Sequence, residues 1–191
     1  MENLIPSKTP TAASRLCAAC GLCCNGVLFH TVQLQPGDSA KELAALGLKL
    51  KRKQGHHYIL QPCPAFKESG CSIYTSRPTR CRLFECRQLQ RVEAGEITET
   101  MALEKIREVR RRVAELDELL ERAGGTNRKR PLSKRFEKSL AEPIEALTEP
   151  AALVLRKRLT LAKQELDLIL NQEFRITPSG AREADVAEAV S

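Results

Sequence analysis

The sequence predicts an α+β fold: a small cysteine-rich lobe of short strands and loops, followed by a long antiparallel helical hairpin. Three observations lead there. All eight cysteines of the 191-residue chain fall between Cys17 and Cys86. The same stretch is interrupted by Pro62, Pro64, Gly70 and Pro78, residues that break regular elements. Beyond Thr98 the apolar residues take up helical spacing. They recur at Ala102, Ile106, Val109, Val113, Leu116 and Leu120, and again at Leu155, Leu159, Ala162, Leu166 and Ile169.

The elements follow in chain order. Residues 1–15 are polar and contain Pro and Thr, so they read as a flexible N-terminus. The cysteine-cluster domain occupies 16–90. Within it Val27–Leu34 has the β-branched and aromatic content of a strand, and His56–Gln61 is a second strand. Between them Pro36-Gly37 marks a turn. Asp38 or Ser39 can cap a short helix through Leu46, stopped by Gly47. The hairpin extension spans 91–174. Thr98 is the expected N-cap of its first helix and Gly124-Gly125 the stop. A short helix is expected from Ser133 to Ala141, and Pro150 suits the first position of the second long helix. Residues 175–191 read as a disordered tail.

Composition limits how the lobe can be held together. Hydrophobic residues make up 42% of the chain, but aromatics only 4%, and Trp is absent. A core of Leu, Ile, Val and Ala buries less area per residue, and a lobe this small needs a staple. The N-terminus lacks a basic segment followed by an apolar one, and no apolar run reaches the roughly 20 residues of a membrane span. A cytoplasmic protein without membrane contact is therefore expected, and in a reducing compartment clustered cysteines are metal ligands more often than disulfides.

The cysteines form two groups, Cys17-x2-Cys20-x2-Cys23-Cys24 and then Cys63, Cys71, Cys81 and Cys86. Two intervening residues let a tight loop aim two sulfurs at one cation. Neighbouring side chains of an extended segment point to opposite faces, so Cys23 and Cys24 are expected to serve different centres. Eight thiols divide into two four-thiolate sites, each drawing on both groups, and such sites would make this a metal-stabilised lobe. Two metals suit the residue types. Zinc takes four thiolates tetrahedrally. The C-x2-C-x2-C run with the remote Cys63-Pro64 is similar to ferredoxin-type ligation of a 4Fe-4S iron–sulfur cluster, although the gap of about forty residues is longer than in ferredoxins. His30, His56 and His57 lie in the same region, as metal ligands or proton carriers on one reading and as hydrogen-bonded strand-end residues on the other. Arg77, Arg80 and Arg82, beside Tyr74 and Pro78, can donate hydrogen bonds to thiolate sulfur or form an anion-binding patch.

The net charge is +7, and residues 1–90 hold 12 Lys and Arg against 5 Asp and Glu. The excess can offset metal-bound thiolates, or it can bind nucleic acid. Few aromatics are available to stack bases, and the Arg110–Arg112 and Arg128–Arg130 runs fit a solvated face, so nucleic acid is not the expected partner.

The segments CAACGLCC (Cys17–Cys24), QPCPAF (Gln61–Phe66) and CSIYTSRPTRCRLFEC (Cys71–Cys86) resemble the CxxCxxCC cysteine-cluster family, the YkgJ-like proteins. All eight cysteine positions of the family pattern are filled, as are Ile73-Tyr74, Arg77-Pro78 and Arg82. The resemblance implies zinc or iron chelation by Cys17, Cys20, Cys23, Cys24, Cys63, Cys71, Cys81 and Cys86. A similar cluster occurs in flagellin lysine methylases, but no Gly-rich cofactor-binding motif accompanies it here. The expected function is metal binding in a structural or accessory role, with the helical hairpin as a surface for a protein partner. The alternatives are an iron–sulfur or metal-dependent redox or modifying enzyme, and a nucleic-acid-binding zinc protein.

Overall fold

The computed structural model describes residues 11–68, 70–125, 127–141 and 149–176. It is α+β, with a few short antiparallel strands and mostly helices. In order these are α1 (Ala12–Cys20), β1 (Thr31–Gln33), α2 (Ala40–Ala45), β2 (Leu50–Lys53), β3 (His56–Leu60), β4 (Phe66–Lys67) and β5 (Gly70–Cys71). A 3-10 turn at Tyr74–Ser76 follows, then α3 (Thr79–Leu83), α4 (Arg87–Glu93), α5 (Glu99–Arg122), α6 (Leu132–Ser139) and α7 (Pro150–Glu173).

One sheet has the order β1-β3-β2, antiparallel throughout, and β4 pairs with β5 in a second. The β2–β3 connection is the dipeptide Gln54-Gly55, with φ of 48° and 80°. Two positive φ values match the right-handed twist of the flanking strands, and Gly55 meets that requirement without strain.

Several expectations change. Residues 12–15, read as part of a loose N-terminus, form the first turn of α1, where the Thr11 side chain accepts the Ser14 amide at 3.2 Å. Its Arg15 guanidinium grips Glu99 at the start of α5 through two bonds of 2.7 and 2.6 Å. The strand expected over Val27–Leu34 shrinks to Thr31–Gln33. Val27 and Leu28 are consecutive and both buried, which strand alternation forbids, so the chain there runs irregularly into the core. Ser39 caps α2 as expected, by accepting the Glu42 amide at 3.2 Å. Thr98 caps α5 in the same way, through Met101 at 3.2 Å. Pro150 opens α7. Most of the tail, from 177 onward, lies outside the described residues.

Two cores hold the molecule. The larger runs without a break from Leu16 and Leu22 through Leu89, Ile106 and Leu116 to Leu166 and Phe174, so the cysteine lobe and the long helices share it. Within it α5 packs against α1 on one side and α7 on another. The smaller core gathers Leu43, Leu48 and Ile59 between α2 and the three-stranded sheet. The division expected near residue 90 therefore falls inside a continuous apolar interior. No helix among the described residues is long and apolar enough to cross a membrane.

Asp38 acts as a long-range clamp. Its carboxylate accepts the Thr79 amide at 2.9 Å and the Thr79 hydroxyl at 2.8 Å, 41 residues away, and the Gln35 amide at 2.8 Å. Partial burial opposes its ionisation, but these three donors outweigh it and hold the carboxyl below its ordinary value. A carboxylate with a depressed folded pKa stabilises the fold above the unfolded pKa, and that contribution is lost as pH falls through the folded value. Asp38→Ala should cost about 1–2 kcal/mol at neutral pH. Urea titrations of both proteins, repeated toward pH 3, should show the gap closing on acidification.

Candidate metal centre

The first four cysteines are presented by a helix and the turn that ends it. Cys17 and Cys20, three residues apart, share a face of α1. Gly21 then stops the helix in the left-handed region at φ +67°, with its amide on the Cys17 carbonyl at 3.2 Å. The Cys24 and Asn25 amides both bond the Gly21 carbonyl at 2.9 Å, closing a tight turn, and buried Leu22 anchors it in the larger core. A β-carbon at position 21 would stand 2.1 Å from Cζ of Phe66. Gly21→Ala should therefore cost about 1–2 kcal/mol in backbone strain alone, with displacement of the Phe66 ring in addition. A lowered urea midpoint checks this, and an unchanged midpoint contradicts it.

The later cysteines arrive from four separate elements. Cys63 follows β3, and its amide donates to the Cys24 carbonyl at 2.7 Å. Cys71 lies in β5, paired in register with Phe66 of β4. Cys81 is in α3, and Cys86 is the N-cap of α4. Cys86 is held from below by the far end of the chain. The Arg87 amide donates to the Phe174 carbonyl at 3.1 Å, and buried Gln88 donates to the Glu173 carbonyl at 3.1 Å and its carboxylate at 2.8 Å.

All eight cysteines are free thiols and line one cavity of about 620 Å³. Phe29 and Phe84, edge to face with centroids 5.0 Å apart, form part of its wall. Among the described residues, no three His, Cys, Asp or Glu side chains already stand close enough to hold a cation.

The thiols nevertheless influence one another, in two overlapping sets that Cys23 and Cys24 join. Burial first, and Cys86 next, raise the Cys17 thiol. Burial pushes Cys20 up to about 12, with Cys86 and Cys17 adding to it. Cys23 is raised well above its ordinary value by burial, then by Cys20, Cys24, Cys86 and Cys17. Cys24 instead answers to burial and then to Cys63, Cys81 and Cys71, with Cys17 last, and reaches about 12. Cys81, at about 11, is raised by burial and then by Cys63 and Cys71. Packing follows the same division, since Cys20, Cys23 and Cys86 pack on the larger core and Cys63 on the smaller. These thiols are protonated at neutral pH, so a cation must displace protons to bind.

The surroundings temper that cost. Amides near the sulfurs favour their charged forms: Leu22 at Cys20, Ala65 and Phe66 at Cys63, and Leu89 and Gln88 at Cys86. Arg77 favours ionisation of both Cys17 and Cys81, and so acts on members of both sets. Its guanidinium lies 3.7 Å from the Tyr74 ring centroid and donates to the Tyr74 carbonyl at 3.0 Å.

Arg80 also lines the cavity. Arg82 instead donates to the Thr79 hydroxyl at 3.2 Å, on the Asp38 clamp. None of the three histidines lines the cavity: His30 bonds the Ser133 hydroxyl, and His56 and His57 lie on β3. Cys23 and Cys24 lie in a hydrogen-bonded turn rather than the extended segment expected.

Residues 16–108 match the model of the CxxCxxCC family, whose description is "Putative zinc- or iron-chelating domain". This stretch of the chain is similar to the CxxCxxCC family. The match takes in every cysteine and ends inside α5, so the matched stretch includes the first turns of the helix on which α1 packs. No curated protein and no solved structure matches the chain. Sequence reasoning missed the Asp38 clamp, the amides at the sulfurs and the tie from Phe174 to α4. The Gly21 stop had a visible signal, a glycine directly after a cysteine pair at helical spacing.

Proposed function

We propose that the chain is a metal-binding protein whose eight thiols hold two centres. Cys17, Cys20, Cys23 and Cys86 form one, and Cys24, Cys63, Cys71 and Cys81 the other. The observation that carries this reading is that all eight thiols, drawn from both sequence groups, line one cavity; the division into fours follows the neighbours that act on Cys20, Cys24 and Cys81. Four thiolates suit tetrahedral zinc and a 4Fe-4S cluster alike, and soft ligands select these over magnesium or calcium. Closing the sulfurs on the metal is then part of the binding free energy, and that energy is folding energy for the lobe.

The role is structural or accessory, in a reducing cytoplasm where all eight thiols stay unpaired. The long helices act as an antiparallel hairpin scaffold. The Arg112–Glu165 pair, at 2.8 Å between their middles, and the Phe174 carbonyl beside α4 support that arrangement. A second reading, a redox or modifying enzyme, draws on Cys17, which is exposed at the rim of the cavity although the surrounding protein partly desolvates its thiol, and which would leave one centre open to solvent and small molecules.

Elemental analysis of anaerobically purified protein, with visible and paramagnetic spectra, tests the proposal. Two zinc ions per chain, or iron with equimolar sulfide, is the expected result. Protein that holds no stoichiometric metal and has eight titratable thiols would overturn it. Turnover of an added small molecule that is lost with the metal would favour the enzyme reading.

A further inference from the structure

Helix α7 is apolar on two sides. One side, with Leu159, Leu166 and Leu170, is buried in the larger core. On the other, Val154, Leu161 and Leu168 are 60%, 50% and 56% exposed. They are spaced by seven, so successive members drift by only about 20° around the helix and form one straight seam. Scattered exposed leucines are ordinary, but three large apolar residues in register at heptad spacing form a continuous seam, narrower than the two-position seam of a coiled coil. Among the described residues nothing covers it.

The charges beside the seam are arranged asymmetrically. Exposed Arg158 and Glu165 flank it on one side, seven residues apart, and exposed Lys157 and Gln164 on the other. Glu165 is 65% exposed on its side chain while bonded to Arg112, so it can accept a second partner.

In an antiparallel pair of such helices, positions on the same side of the seam meet across the interface. Arg158 of one copy then faces Glu165 of the other, and the two-fold axis repeats the pair. The same alignment stacks Val154 on Leu168 and Leu161 on its own equivalent. A parallel pair would instead bring Arg158 toward Lys157 and Gln164. The sequence of α7 is thus complementary to itself in one orientation.

We infer that the partner on α7 is a second copy of this chain, docked antiparallel along the Val154–Leu161–Leu168 seam. The inference is independent of the metal reading. The seam runs over about 22 Å of helix with one apolar layer per heptad, so the contact is small and the dimer belongs in the micromolar range.

Sedimentation of the anaerobically purified full chain over about 1–200 μM tests this. Association rising across that range is expected, with Leu161→Glu monomeric throughout. Arg158→Glu and Glu165→Arg should each weaken self-association about tenfold by placing like charges opposite one another. Mixing the two variants should restore a heterodimer, because each then supplies the charge the other lacks. A wild-type monomer at all concentrations overturns the inference. So does association that survives Leu161→Glu, or charge variants that stay weak when mixed.

Discussion

Cys23→Ser is expected to remove half of the bound metal, and Cys24→Ser the other half, although the two residues are adjacent. The first variant should empty the centre proposed at Cys17, Cys20, Cys23 and Cys86, because Cys23 interacts with those thiols beyond its chain neighbour. The second should empty the centre at Cys24, Cys63, Cys71 and Cys81. The double variant should hold none. Each loss should be severe, since a structural thiolate centre contributes on the order of 10 kcal/mol to folding. A serine oxygen is a poor soft-metal ligand, so partial retention is not expected. Metal analysis of the three proteins, with thermal unfolding in parallel, makes the comparison. If either single variant lost all metal, or none, the division into two sets would fail.

Phe174→Ala should destabilise the chain by about 3–5 kcal/mol, the cost of emptying a large aromatic site in a packed core. Phe174 is fully buried, with 0% of its surface exposed, yet it lies beyond the residues that match the family. Its backbone carbonyl receives the Arg87 amide, next to Cys86, and Cys86 packs on the same core as the Phe174 ring. The variant should therefore lose affinity at the Cys86 centre and keep it at the Cys63 centre. Competition with a chelator, read as two separate release steps, distinguishes the two. Equal weakening of both steps would mean that the helices support the lobe only globally.

The long helices were legible in the sequence because their signal is local: each turn repeats the apolar stripe, and Thr98 and Pro150 mark the starts. α1 was hidden, since Leu16 is its one buried residue and cysteines occupy the positions that would otherwise show a stripe. The β2–β3 hairpin escaped notice because Lys51, Arg52 and Lys53 are all exposed and show no alternation. β4 and β5 are two residues each, and they exist through pairing rather than propensity. For the site, the identity of the eight cysteines could be read directly from spacing and residue type. The anchoring of Cys86 could not, because it depends on Gln88 bonding Glu173 across 85 residues of chain.

The family match stops at residue 108, near the middle of α5. A fragment trimmed to those borders would carry every cysteine but would leave behind Val109, Leu116, Leu119, Leu120, Leu159 and Leu166, which complete the interior around Ile106. Such a fragment would expose a raw apolar face and clump during expression. Loading experiments on it would report on an aggregate, and the shortest trustworthy expression unit has to extend through Phe174.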